Sequence, residues 1–367
     1  MPIIKGKRSL TIGIWFHTER VCCIATGKVG KSVPLAKFHH FGLPRGLVIF
    51  IGQMSLDYFI QKFNSVAHYD NFPWQAMLLT IGVTAACLVI EALSVGWRRS
   101  SIYQLATRGK VLHNDIFSFL FFLTGLTQLA GLLFYVGIFY FIYGQVMKHV
   151  SFHLIAMIPS VPVQFFIMLL ITDLRDYVIH YYRHHLGWVW ELHRFHHSAE
   201  DMTILTSFRS HAAEGVLTDF FSMIVFVLMG VPAETYLLVN LVHQAHQKLT
   251  HSQIHSDWGW LGRYILVSPA AHRIHHSKNP EHYGRNFGVT FIIWDRLFGT
   301  YYQPDTTQQI EFGLPDNEFN KDGYIRDIFR SYFRSLRVAK DSALRLIGRD
   351  KKTTPSDSQR ESLETSV

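Results

Sequence analysis

Charge is scarce in this chain. Asp, Glu, Lys and Arg make up 17% of its 367 residues, against about a quarter in an ordinary soluble domain. Cysteine is scarcer still, with only Cys22, Cys23 and Cys87. Those three give neither a disulfide framework nor a cysteine-based metal motif, so a disulfide scaffold and a thiolate-held zinc are excluded. A reducing compartment is the default that follows. The chain has no G-x-G-x-x-G or other dinucleotide fingerprint, no haem-thiolate motif, no cytochrome-like extension and no internal repeat. A cleavable signal peptide is not expected, because no apolar run of the right length follows the first basic residues.

What the chain has in quantity is apolar and aromatic surface. Hydrophobic residues are 49% and aromatics 14%, with 29 Phe and 16 Tyr. The net charge of +8 sits largely at the N-terminus, in one loop and in the C-terminal tail. That distribution suits contact with anionic lipid, and the composition suits a lipid-facing protein better than a nucleic-acid binder, so no nucleic-acid partner is expected. Four apolar blocks are expected to span a membrane. The first, 46–61, is short and contains Asp57. The second, 75–93, is strong, with Glu91 near its end. The third, 116–146, is longer than one crossing needs, and is either tilted or broken at Gly125 or Gly131. The fourth, 154–172, carries Pro159 and Pro162 near its start, where a helix tolerates proline best.

Basic residues set the orientation. Eight Lys and Arg precede the first block, and the 97–114 loop has Arg98, Arg99, Arg108 and Lys110. The positive-inside rule places both on the cytoplasmic side, so four crossings return the chain to the cytoplasm at Asp173. Beyond it, 216–229 and 235–249 read as a re-entrant helical hairpin. A short β-prone stretch (NFGVTFIIWDRLFGTYY) closes the main domain. Residues 325–347 repeat basic and apolar residues at helical spacing, as in a helix lying on a membrane surface. The expected organisation is a basic segment 1–45, transmembrane helices in 46–164, a catalytic domain 165–305, the amphipathic helix 325–347 and a disordered tail 352–367.

Fifteen of the 22 histidines fall within 173–282. His180 and His184 form an H-x-x-x-H. His193, His196 and His197 form an H-x-x-H-H, repeated by His272, His275 and His276, and His251 and His255 stand between them. Histidines three or four apart share a helix face, so each group aims several imidazoles at one point. One ion cannot use eight or nine nitrogens, but two adjacent ions can. Structural zinc would favour cysteine, and an almost purely imidazole shell suits iron or copper. The fourth block and the first histidines are expected to share one helix. Asp173 and Asp176 on that helix are placed to take the outer ring N–H of a liganding histidine. His255, four residues from His251 and so on the same helix face, is either an extra ligand or a spare. The isolated histidines outside the stretch are read as structural.

The order HYYRH, HRFHH, KLTHSQI and HRIHH, closed by HHSKNPEHYGRNFG and WDRLFGTYYQP, resembles the fatty acid hydroxylase/sterol desaturase superfamily over residues 165–305. The resemblance implies an integral membrane, non-haem di-iron enzyme with a cytosolic histidine-lined site. It implies O2 as co-substrate and electrons from a separate reductase or a cytochrome b5- or ferredoxin-like donor. It also implies nine ligands: His180, His184, His193, His196, His197, His251, His272, His275 and His276. Asn286, Trp294 and Asp295 match the closing motif and are expected to shape the site. His255 departs from the family pattern.

The fold expected is therefore an all-α membrane bundle of about four transmembrane helices and a re-entrant hairpin, with a cytosolic di-metal cap. The function expected is O2-dependent oxidation of a C–H bond in a lipid, whether sterol, fatty acyl, ether lipid or carotenoid. Hydroxylation is preferred, since desaturation needs a second hydrogen abstraction. The 97–114 loop and the C-terminal helix are candidate docking surfaces for the electron donor. The competing reading is a histidine-rich metal transporter or sensor, which predicts ligands within the spans.

Overall fold

The computed structural model describes short strands within 13–34 and residues 72–109, 112–124, 154–231 and 233–347. The chain divides into two compact units, Met1–Pro73 and Trp74–Val367. In the first, strand β1 (Gly13–His17) pairs antiparallel with β2 (Arg20–Ala25), which also pairs with β3 (Lys28–Val29) and β4 (Val33–Pro34). Runs such as GIWFH and RVCCIA are rich in β-branched and aromatic residues, which suit a strand. This sheet corrects the all-α expectation for the first unit.

The described part of the second unit is helical, apart from isolated bridges. Helix α1 (Phe72–Val95) is mostly apolar, with Glu91 near its end. Among the described residues one helix, over Met77–Val95, is long and apolar enough to cross a membrane. The expected span 46–61, and 116–146 beyond Thr124, lie outside the described residues. After α1 come the short helices α2 (Ser101–Thr107) and α3 (His113–Leu123). Helix α4 (Val161–His185) carries both the fourth apolar block and the first histidines, as expected. It starts at Val161 rather than at 154, because Pro162 fits the first turn and nowhere deeper. At 25 residues it is about 37 Å long.

Only Leu186, in extended conformation, separates α4 from α5 (Gly187–His197). This tight corner folds the second histidine group back on the first. Helices α6 (Ala212–Met229) and α7 (Ala233–Thr250) follow, over the two apolar stretches expected as a hairpin. Gly230 ends α6 with a φ of 60°, the left-handed conformation glycine adopts without Cβ strain. Thr80 Oγ1 donates to Gln244 Oε1 at 2.9 Å, joining α1 to α7. Ile155, Met168, Leu169, Val239 and Phe291 form the main apolar core.

Helix α8 (Gly259–Tyr264) leads to α9 (Pro269–His275), whose Ser268 cap accepts the Ala271 N–H at 3.1 Å. The closing stretch read as β-prone contains only an isolated bridge, Leu266 to Phe291, and the helix α10 (Ile293–Phe298). Its extended geometry is overridden by Asp295, which accepts the N–H groups of Phe287 (2.7 Å) and Gly288 (2.8 Å) and bends the chain around one carboxylate. A Cβ on Gly288 would stand 2.7 Å from Asp295 Oδ2, so this turn requires glycine. The last helix, α11 (Tyr324–Leu346), packs on α5. Its Tyr324 joins Phe195, Leu314 and Phe319 in a second core. Asp327, Ser331 and Ser335 are buried, while Ile325, Phe329, Phe333 and Leu336 face outward.

Candidate metal centre

Helices α4, α5, α7 and α9 converge on one point, and the nine expected ligands sort into two groups there. His180, His184, His193, His197 and His275 form one; His196, His251, His272 and His276 form the other. Within each group the candidate ligand atoms lie within 4.8 Å of one another. Each H-x-x-H-H divides in the same way. Its i, i+4 pair, His193 with His197 or His272 with His276, stays together on one face, and its remaining histidine crosses to the other group. Seven of the nine are buried; His184 and His196 keep part of their surface open.

Protein acceptors fix the rings. Nδ1 lies 2.8 Å from the Phe287 carbonyl in His180, 3.0 Å from the Arg209 carbonyl in His196, and 2.8 Å from the Gln247 carbonyl in His251. In His275 it lies 2.9 Å from the Arg285 carbonyl, and in His193 it is 3.0 Å from Glu214 Oε1. A carbonyl or carboxylate oxygen only accepts, so these rings carry their proton on Nδ1 and turn the Nε2 lone pair inward. Burial lowers the pKa of every one of the nine, to about 4 for His251 and about 3 for His275. The imidazoles are therefore neutral, as ligands must be.

The donor set fits metal ions. Nε2 of His184, His193, His197 and His275 is buried without a hydrogen-bond partner, which costs free energy unless a cation takes the lone pair. In the second group, Nε2 of His196 and Nε2 of His251 are 3.3 Å apart, and Nε2 of His251 and of His272 are 3.1 Å apart. His196 and His251 each spend their proton at Nδ1, so two lone pairs face each other. Ring nitrogens about 2.1 Å from a common ion and at right angles stand roughly 3 Å apart, which matches this spacing.

Three expectations need correction. His255 is exposed, bonds through Nδ1 to the Gln253 carbonyl at 2.8 Å, and belongs to neither group. Helix α7 stops at Thr250, so His251 and His255 share no helix face. Asp173 holds no ligand ring. It accepts from Thr290 N (2.8 Å), Phe291 N (2.9 Å) and Trp294 Nε1 (2.9 Å), fastening α4 to the closing segment. Asp176 accepts from Arg175 at 2.7 Å and stands 3.6 Å from Nδ1 of His243, which is outside both groups.

Asn286 does act beside the site. With a φ of 56°, its amide donates to the carbonyls of Ala271 (3.1 Å) and Tyr302 (3.0 Å) and accepts Tyr302 N–H at 2.8 Å. Its neighbours Arg285 and Phe287 supply the carbonyls that hold His275 and His180.

The carboxylate that meets a ring of the two groups is Glu214, at the start of α6. It takes His193 Nδ1–H and pairs with Arg183 Nε at 3.0 Å. Burial alone would raise its pKa, but Arg183 and His193 hold it down at about 2. Arg209 is a second residue that sequence reasoning missed. It is fully buried, donates to the Phe195 carbonyl, Ser198 and Asn320, and pairs with Asp115 at 2.9 Å. It thereby fixes the end of α5 just past His197. The available signal for both was a lone charge beside apolar sequence, which burial makes costly unless it is paired.

A helical domain with two adjoining imidazole clusters defines the class of histidine-lined proteins able to hold a pair of metal ions. Residues 165–300 match the family model described as "Fatty acid hydroxylase". This region of the chain is similar to the fatty acid hydroxylase/sterol desaturase superfamily. It is 29% identical over 150 residues to an alkylglycerol monooxygenase of Caenorhabditis elegans, covering 41% of this chain and 29% of that protein. It is 28% identical over 146 residues to the ornithine lipid hydroxylase OlsE of Rhizobium tropici, covering 40% and 44%. It is 27% identical over 141 residues to human cholesterol 25-hydroxylase, covering 36% and 48%. The chain thus spans less than half the length of each of these relatives. No solved structure matches significantly.

Proposed function

We propose that this chain is a multi-pass membrane enzyme that hydroxylates a C–H bond of a lipid, using O2 and two iron ions held by the nine histidines. The carrying observation is the two groups of neutral imidazoles: four Nε2 atoms of the first are buried without a protein partner, and the Nε2 atoms of the second face one another. The relatives named as lipid hydroxylases and monooxygenases support the reaction class. The reaction balances as C–H plus O2, two electrons and two protons giving C–OH and water, with the electrons from a separate donor protein. Bound iron supplies the activation of O2 that an unactivated C–H bond requires.

The chain's own residues hold and shield that centre. Five backbone or carboxylate acceptors keep protons on Nδ1, so every fixed ring offers Nε2. Phe287 and Trp190 pack on His184 and keep water from the five-histidine group. Leu78, Leu93 and Phe166 are exposed on α1 and α4, as lipid contact demands. The reading places the centre on the cytoplasmic side, next to the apolar half of α4. Metal transit is less well supported, because carbonyls fix these rings in clusters instead of stringing them along a path.

Comparative lipidomics of cells with and without the chain tests the proposal. A lipid that gains one oxygen only when the chain is present is the expected result. Loss of two hydrogens would overturn hydroxylation in favour of desaturation, and unchanged lipids would overturn the enzymatic reading.

A further inference from the structure

We propose that a polar cavity on the flank of α9 is a binding subsite for a phosphate-type oxyanion, with Arg273 as its cation. The cavity measures about 460 Å³, within the range of small-molecule sites. Arg273, Gln253 and His255 line one side, and the segment 305–310 lines the other. Nothing in the metal centre uses it.

Arg273 is only 6% exposed. One guanidinium nitrogen donates to the Ser252 carbonyl at 2.8 Å, and the Phe312 ring lies 5.4 Å away. Its Nε is buried with no partner, and no carboxylate among the described residues pairs with it. The acid that acts on it, Glu91, is already engaged by Ser101 N and Oγ at 2.7 Å each and by Gln253 N at 2.6 Å. A buried guanidinium without a contacting anion is costly, and its planar fork matches phosphate oxygens. Thr306, Thr307, Gln308 and Gln309 add polar side chains across the cavity. The one rim carboxylate, Asp305, is exposed and accepts from Thr307 N (2.9 Å) and Thr307 Oγ1 (2.7 Å). In water its repulsion is weak.

Arg273 follows His272 and lies about 100° around the helix from it. An anion here would sit beside the four-histidine group. The phosphate has two sources, a lipid headgroup or a free ion. The headgroup assignment rests on the lipid-oxidation reading, whereas the anion site does not.

Calorimetric titration of the metal-loaded full chain in neutral detergent separates these cases. The probes are inorganic phosphate and a short-chain phosphatidic acid, with the matching uncharged diacylglycerol as control. Saturable binding of either phosphate probe, weakened at least tenfold by Arg273→Gln, is the expected result. Gln309→Glu sets a competing carboxylate on the exposed opposite wall and should weaken binding similarly, which keeps the test intact if Arg273→Gln fails to fold. Equal affinity for both probes assigns a free anion, and tighter phosphatidic acid assigns a headgroup; both support the site. Absence of binding, or binding that Gln309→Glu and any folded Arg273→Gln protein leave unchanged, would overturn it. Iron content read on the same samples keeps the two readings apart. Two irons without anion binding sinks the subsite alone, and anion binding without iron sinks the metal reading alone.

Discussion

Replacing Glu214 with Gln keeps the shape of the side chain and removes its charge. The carboxylate's pKa of about 2, against 4.5 for a free glutamate, corresponds to roughly 3 kcal/mol of stability. The sign follows from the depressed pKa: this stability is fully present above pH 4.5 and is lost as pH falls through about 2. Glu214→Gln leaves Arg183 without its ion pair at any pH, and breaking a buried pair costs about 3–5 kcal/mol. Denaturant unfolding at pH 7 should therefore show a loss of about 3 kcal/mol. The amide can also turn its NH2 toward His193, removing the acceptor that fixes the ring. Loss of such an outer partner lowers metal affinity about 10–100-fold. Chelator titration should show that loss for one of the two ions and leave the other in place, since Glu214 touches only the five-histidine group. Unchanged stability together with unchanged chelator resistance would refute the assigned role.

Other outcomes follow from the same geometry. His184→Ala should lose the ion of its own group and His276→Ala the other; loss of both ions in each variant would show a single shared site. His255→Ala should leave metal content and product formation unchanged within about twofold, and a lost ion would restore His255 as a ligand. Acid should unfold the metal-free chain, because each of the nine histidines has its pKa depressed below 6.5 by burial. The unfolded chain takes up protons below pH 6.5 that the folded one refuses, so stability present above that value is lost as pH falls. For His251 and His275, held at about 4 and about 3, this is about 1 kcal/mol per ring from pH 7 to 5.5, and the other seven act in the same direction. A thermal midpoint that stays flat over this range would contradict the buried, neutral state.

Part of the histidine grouping was legible because helical spacing alone puts His193 and His197, or His272 and His276, on one face. The spacing did not reveal that His196 and His275 cross between the groups, since that depends on how α5 and α9 face each other. His255 was misread because four residues imply a shared face only while the helix lasts, and α7 ends before it. Asp173 looked like a ligand's partner from its place on α4. Its oxygens instead serve backbone N–H groups 117 and 118 residues away, a contact that no local pattern encodes. Glu214 and Arg209 stayed hidden for the same reason: each is defined by partners brought in by tertiary packing. The continuity of α4 and the separation of α6 from α7 followed directly from apolar periodicity and the glycine between the two helices.

The most direct test is the iron content of the full-length chain, purified from iron-supplemented cells and measured by elemental analysis against protein concentration. The account predicts two iron ions per chain, falling toward one in His184→Ala or in His276→Ala. One iron or none in the unaltered chain, or a different metal at full occupancy, would contradict it.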